Sequence, residues 1–343
     1  FKNDSYAFNL DIQSSKPYTL YMGDGFGSLT PKEEKGYGHI GPVVFVDGQR
    51  SQDKPEKLAE PKKYTGKTGW AALCDKFFIA AIIPKGPVDA VSMKGSTDLG
   101  LVAVKGADGG SYLVYAGPKE YDRLKSFNIG LEQSIDFGWF SFIAKPLFVV
   151  LKFFYGIVKN YGWAIILLTI VVKLLFAPLT HKSQKAMKKM QKLQPMFAEL
   201  KEKYKGDAQR MNAEMMAIYK REKVNPMGGC LPMLIQIPVF IALYNVLNNA
   251  IELRQAPFVW WLTDLSSKDP YYVLPILMGL SMVVMQKMTP TSMDPMQNKM
   301  MMFMPVILTF MFISLPSGLV LYFTVSNLLS MAQQFYINKY STD

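Results

Sequence analysis

The sequence predicts an α-helical polytopic membrane protein: an N-terminal all-β sandwich followed, in the same chain, by five transmembrane helices. Three observations carry that prediction. Charge is unevenly spread, with 17 Lys/Arg and 15 Asp/Glu in residues 1–130 but only 5 and 5 in residues 227–343. Apolar residues alternate with polar ones early in the chain and run unbroken for bilayer lengths late in it. The whole chain is only 19% charged, with a mean hydropathy of +0.09, against about 25% charged residues in a soluble domain. Water is therefore the solvent of the first part and lipid that of most of the second. Disorder and a single soluble enzyme fold are both excluded.

Residues 1–128 read as the sandwich. Tyr6, Phe8, Leu10 and Ile12 alternate with polar residues, the period of a half-buried strand. Further strand runs lie at 18–22, 43–46, 77–83, 101–104 and 112–115. Gly, Pro, Asp and Asn punctuate them, as in an antiparallel sandwich. Residues 50–67, rich in Lys, Glu, Gln and Pro, read as a long exposed loop, and 119–128 as a short helix leading out.

Residues 129–160 read as a linker and an interfacial amphipathic helix. Apolar side chains dominate 139–159, but Lys145, Lys152 and Lys159 recur every seven residues and so stay on one stripe. Pro146 suits the first helical turn. A helix crossing the bilayer would hold Lys152 at mid-depth, so an in-plane position is expected.

Residues 161–343 read as the membrane core. Runs of about 20 apolar residues suffice to span a bilayer, and five runs of near that length occur, at 163–179, 227–246, 272–288, 300–315 and 318–337. Tyr161, Trp163, Trp260, Trp261, Tyr271 and Tyr272 fall at run ends, where aromatic belts form. Residues 181–226 carry 12 Lys/Arg and 5 Asp/Glu, net +7 of the chain's +11. By the positive-inside rule this loop is cytoplasmic. Residues 1–160 and 251–270 then lie outside and the C terminus inside. A domain of that size outside needs an export signal, which is expected upstream of Phe1.

The 181–226 loop is itself patterned. Met187, Met190, Leu193, Phe197, Leu200 and Tyr204, then Met211, Met215 and Ile218, recur at helical spacing on either side of residues 205–207. That predicts a helical hairpin with one apolar face per arm, the first arm kinked by Pro195. Lys185, Lys188, Lys189 and Lys192 offer a contact surface for anionic or nascent-chain partners. The plainer reading is a basic hairpin that only sets topology.

Lys173 is the residue that most demands a reason. It sits in the first run, and a lysine at mid-span costs about 2.5–3.5 kcal/mol on insertion scales. It either snorkels to the cytoplasmic surface or faces a hydrated cavity. Thr169, Gln236, Asn245, Gln286, Ser326 and Asn327 recur in the spans; singly they read as helix–helix hydrogen bonds, and together with a buried cation as a wet groove. Of 22 Met, 14 lie in residues 227–343, and flexible thioethers suit surfaces that must fit many apolar partners. Nothing points to an enzyme, a cofactor or a metal. There is no phosphate-binding G-x-x-x-x-G-K-[ST] loop, and two cysteines with two distant histidines make no zinc site.

Four segments then become specific. Residues 223–244 (KVNPMGGCLPMLIQIPVFIALY), 252–258 (ELRQAPF), 269–279 (DPYYVLPILMG) and 316–327 (PSGLVLYFTVSN) resemble the hallmark segments of YidC-type membrane protein insertases. The likeness runs from about residue 130 to the end. Residues 1–125 more loosely resemble the periplasmic sandwich of Gram-negative members.

The resemblance implies a bacterial inner-membrane insertase and chaperone for nascent membrane proteins. Residues 1–160 would be periplasmic, with a hydrophilic groove open to cytoplasm and lipid. Lys173 stands where the family usually has arginine, and Thr169 matches the groove threonine. A groove tyrosine falls at Phe323, beside Tyr322. Gln236 and Asn327 complete the groove set, and Met233, Phe240, Met302, Phe303 and Met311 an apolar slide toward lipid. The partners implied are nascent membrane proteins and the bilayer, with the Sec translocon and ribosome beyond them; sequence-specific nucleic-acid binding is not implied. A transporter or channel is the rival class, since kinked helices and an intramembrane charge serve it too.

Overall fold

The computed structural model describes residues 5–23, 39–95, 100–222, 224, 231–288 and 295–340. It divides into two compact units, one of residues 1–141 with 248–252, the other of residues 142–247 with 253–343.

The first unit is an antiparallel sandwich. Its strands are β1 (Ala7–Ile12), β2 (Tyr18–Met22), β3 (Gly41–Val46), β4 (Gln49–Gln52), β5 (Lys62–Tyr64), β6 (Thr68–Cys74), β7 (Phe78–Pro84), β8 (Asp89–Met93), β9 (Leu101–Gly106) and β10 (Gly110–Pro118). One sheet has the order β1-β10-β7-β6-β3-β4 and the other β2-β9-β8-β5. Val44, Leu73, Ile82 and Val114 of the first meet Ala90, Val102 and Val104 of the second in the core. The far face of the larger sheet is also buried. Trp70, fully buried, stacks on Phe45 at 5.4 Å, and Tyr115 meets Phe127 edge-on at 5.4 Å. A short helix, α1 (Tyr121–Ser126), and a 3-10 turn at Leu131–Ser134 follow the last strand.

Residues 50–67 are not the exposed loop the composition predicts. They hold β5, most of β4 and a 3-10 turn at Pro55–Lys57, with Asp53, Pro55 and Leu58 buried. The reason is a hydrogen-bonded carboxylate: Asp53 accepts from Lys62 Nζ at 2.8 Å and from Tyr64 Oη at 2.5 Å. Burial alone would push the Asp53 carboxyl up, but the bonds from Lys62 and Tyr64 and the Lys62 charge outweigh it and hold it below the usual carboxylate range.

The second unit is helical: α2 (Ser141–Val158), α3 (Tyr161–Lys192), α4 (Gln194–Lys203), α5 (Ala208–Arg221), α6 (Leu231–Asn249), α7 (Val273–Met288), α8 (Pro295–Phe312) and α9 (Ser317–Tyr340). Two stretches are long and apolar enough to cross a membrane, α2 and residues 161–190 of α3; residues 234–249, 273–288 and 302–312 are shorter apolar stretches. The interfacial helix of the sequence reading thus also passes a test of length and composition for a span.

Local chemistry fixes the ends of these helices. Asn160 Oδ1 accepts from Trp163 N at 3.2 Å, and its amide donates to Phe258 O at 3.1 Å. Gly162 permits this closeness, because a Cβ there would collide with the Phe258 ring. Asp269 caps α7, accepting from Leu274 N at 2.7 Å. Asp264 gathers the 253–272 loop, accepting from Gln255 N at 3.0 Å and Ser266 N at 2.8 Å. Burial raises the Asp264 carboxyl, but these bonds and those from the Ser266 and Ser267 side chains pull it lower still.

The patterned loop at 181–226 folds as two helices, α4 and α5. Pro195 does not kink a continuous arm: α3 ends at Lys192, and Pro195 occupies the first turn of α4, where its missing N–H costs nothing. Gly206 turns the chain at φ 104°, and Asp207 caps α5 by accepting from Arg210 N at 3.0 Å. Leu193, Ile218 and Val224 bury against Met190, Met196, Phe197 and Leu200.

Candidate functional site

A polar seam runs between α3 and α9. On α3, Ile165, Thr169, Lys173 and Ala177 follow at steps of four and so share one face. On α9, Ser326, Ser330 and Gln334 do the same and are all buried. Lys173 Nζ donates to Ser330 Oγ at 2.8 Å, and Ser330 Oγ donates to Ser326 O at 2.9 Å. One turn further on, Gln333 Nε2 donates to Ala177 O at 3.3 Å. Beyond that, Lys188 Nζ donates to Ile337 O at 2.9 Å.

Lys173 is half-buried, and among the described residues no carboxylate pairs with it; its partner is a neutral hydroxyl. A half-buried cation so placed is available to an incoming anion, because no ion pair must first be broken. Thr169 is fully buried and donates to Ile165 O at 2.6 Å, so its hydroxyl is already committed to its own helix.

The remaining predicted groove residues meet the same helix elsewhere. Gln236 Nε2 of α6 donates to Tyr322 Oη at 2.7 Å, with Tyr322 fully buried. Asn327 Nδ2 donates to Ser281 Oγ of α7 at 3.2 Å. Phe323 stands among rings rather than polar groups, 5.0 Å from Phe240 and 4.8 Å from Phe312. Lys173 and Thr169 are therefore linked through one stripe of α3, and Gln236 and Tyr322 through one bond.

Of the apolar slide, Met302, Phe303 and Met311 are well exposed on α8, together with Ile307 and Phe310. Phe240 is half-buried, and the Met233 side chain lies outside the described ones. In the basic set, Lys185, Lys189 and Lys192 are exposed, while Lys188 is half-buried on the Ile337 carbonyl. Ser330, Ser281, Gln333 and Gln334 were not legible as site residues. The step of four linking Ser326, Ser330 and Gln334 was the signal available for them. Among the described residues no group of three or more His, Cys, Asp or Glu side chains converges.

An antiparallel sandwich carried by a chain of apolar helices, with Lys173 and Lys188 of one helix bonded to another, defines a polytopic membrane protein with a separate β domain. A family profile described as "60Kd inner membrane protein" matches residues 153–343, and one described as "YidC periplasmic domain" matches residues 1–150. The chain belongs to the YidC family of 60Kd inner membrane proteins. A membrane protein insertase YidC of Syntrophus aciditrophicus is 51% identical, over 99% of this chain and 66% of its own length. Another, of Geobacter metallireducens, is 46% identical over 99% of this chain and 66% of its own. This chain thus spans just under two thirds of these relatives. A crystal structure of an active YidC insertase with its first transmembrane domain resolved superposes with a TM-score of 0.52 at 21% identity, covering 87% of this chain and 83% of that one. The fold is shared: an N-terminal periplasmic β-sandwich and a helical membrane region.

Proposed function

We propose that this chain inserts nascent membrane proteins into the bacterial inner membrane and assists their folding. The observation that carries this reading is Lys173, a half-buried cation whose only partner among the described residues is a serine hydroxyl. In relatives about half identical to this chain, the printed name is membrane protein insertase.

The chain divides functionally into a periplasmic sandwich at 1–128, a linker with an interfacial helix at 129–160, and an insertase core at 161–343. Five helices span the membrane: α3, α6, α7, α8 and α9. Residues 1–160 are periplasmic; the hairpin within 181–226 and the C terminus are cytoplasmic, as the hairpin's net +7 requires. A client's short polar segment enters a groove beside α3 and α9, drawn by Lys173. Thr169, Gln236, Tyr322, Phe323 and Asn327 line the way. Its apolar segment moves along Met233, Phe240, Met302, Phe303 and Met311 into lipid. No covalent bond changes; transfer of apolar surface out of water supplies the free energy. Lys185, Lys188, Lys189 and Lys192 receive the chain at the cytoplasmic side, where the ribosome and the Sec translocon are the further partners.

Photo-crosslinkers at Thr169 and Met302 test this. A ribosome-stalled membrane protein should crosslink at both, the polar segment to 169 and the apolar segment to 302. Absence of crosslinks at both positions in an inserting system overturns the reading. A continuous water path across the membrane would favour a transporter.

A further inference from the structure

Helix α2 has a face that the insertion mechanism does not use. Ala144, Phe148 and Leu151 are buried, whereas Phe142, Val149, Phe153 and Ile157 are 56–70% exposed. At 3.6 residues per turn these four lie within about a quarter turn of one another. Lys145 and Lys152 lie about a quarter turn to one side, between that face and the buried one, and Lys159 follows just past the helix end at φ 53°. Lys145 and Lys159 are exposed, and Lys152 rests its ammonium over Phe148 at 5.7 Å from the ring centre. The chain holds no Asp or Glu from residue 137 to residue 198.

The position of this helix is constrained. Only Lys159 and Asn160 separate α2 from α3. Tyr155 and Tyr161 stack across that elbow at 3.9 Å and 8°, and Lys159 N donates to Tyr155 O at 2.8 Å. The end of α2 therefore lies at the outer mouth of the first span.

We propose that Lys145, Lys152 and Lys159 form a rail that binds the phosphates of anionic phospholipids in the outer leaflet. The proposal rests on the in-plane reading of α2 given above and names its ligand. Lipid satisfies both halves of the surface: acyl chains cover Phe142, Val149, Phe153 and Ile157, and phosphates meet the ammonium groups. An acidic protein partner would answer only the lysines. Lys145 and Lys152 are seven residues, or about 10 Å, apart along the axis, and Lys159 lies beyond the last turn, so each can take its own headgroup.

The test uses the full chain in nanodiscs of phosphatidylcholine with a minority of phosphatidylglycerol. A fluorophore is placed at Val149→Cys, with Cys74 and Cys230 replaced by serine. Its quenching by headgroup-nitroxide phosphatidylglycerol is compared with that by the phosphatidylcholine equivalent. This readout is local, so lysines of the cytoplasmic hairpin do not enter it. We expect a several-fold preference for phosphatidylglycerol, lost in K145Q/K152Q/K159Q and kept in K145R/K152R/K159R. A wild-type ratio near one, or an unchanged ratio in the glutamine variant, overturns the rail. A label at position 152 quenched best by nitroxides deep in the acyl chains overturns the in-plane reading instead.

Discussion

Replacing Lys173 with methionine separates what this residue does for stability from what it does for function. A central lysine costs about 2.5–3.5 kcal/mol to insert. A hydrogen bond to a charged group returns about 1.5–3 kcal/mol, and Lys173 makes one, to Ser330. The two nearly cancel. Methionine has a similar reach and no charge, and Ser330 keeps its bond to Ser326 O. Lys173→Met should therefore leave the stability of the helical core within about 1 kcal/mol of the original, or raise it. Insertion should behave otherwise. A client carboxylate about 4 Å from the ammonium gains about 4 kcal/mol at an effective dielectric of 20. If hydration and salt leave roughly 1–2 kcal/mol of this, clients with acidic translocated segments slow by about 5–30-fold. Proteoliposomes and protease protection of a translated client give the rate, and unfolding in mixed micelles gives the stability. Lys173→Arg should retain activity, and Lys173→Glu should fail for acidic clients by like-charge repulsion. A loss of more than about 3 kcal/mol in Lys173→Met, or an unchanged rate for acidic clients, refutes the argument.

Deleting residues 185–220 should leave the membrane core folded and slow insertion; a normal rate would reduce the hairpin to a topology device. Removing residues 1–125 while keeping an export signal should leave insertion largely intact, as judged by the same protease-protection assay. Tyr322→Phe removes the hydroxyl that accepts from Gln236 and should destabilise the core by about 1–2 kcal/mol, read as a lower midpoint in mixed micelles. In the sandwich, the Asp53 carboxyl is held below its ordinary value. Its stabilising contribution is thus fully present above the unfolded carboxylate pKa, near 3.9, and is lost as pH falls through the folded value. Hydrogen exchange of the β5 amides should accelerate in that acid window, and Asp53→Asn should flatten the dependence.

The strands legible in the sequence either alternate, as β1 does, or run in bulky β-branched and aromatic residues, as β3 and β7 do although both are buried on both faces. β6 was missed, because Thr68–Cys74 is a short apolar run, buried on both faces, that mixes Gly and Ala with Trp70 and Leu73. Such a strand has no period of two to find. β4 and β5 were hidden by their charges, since the carboxylate that organises them lies between them in sequence and is neutralised only in the fold. In the membrane core, Lys173 announced itself by its cost. Its partner did not: Ser330 is 157 residues away, and a serine in an apolar run carries no signal by itself. Gln236 and Tyr322 were each visible as polar residues in spans, while their pairing depended on the packing of α6 against α9.

The 32-residue helix α3 is about 48 Å long, well beyond the roughly 30 Å of a hydrocarbon core, and mechanically it is a lever. Asn160 and Gly162 clamp its N-terminal end to the loop at 257–258, which serves as the fulcrum. A tilt of about 5° there would carry Lys192 by about 4 Å but Lys173 by only about 1.5 Å. The arm is jointed, however, because Pro178 removes one rung of the helix ladder, and helices bend preferentially where a rung is missing. That joint lies little more than one turn from Lys173. Lys173 lies on the fulcrum side of that joint, so bending there swings the hairpin while the ammonium stays nearly in place, and the arm can move without displacing the charge.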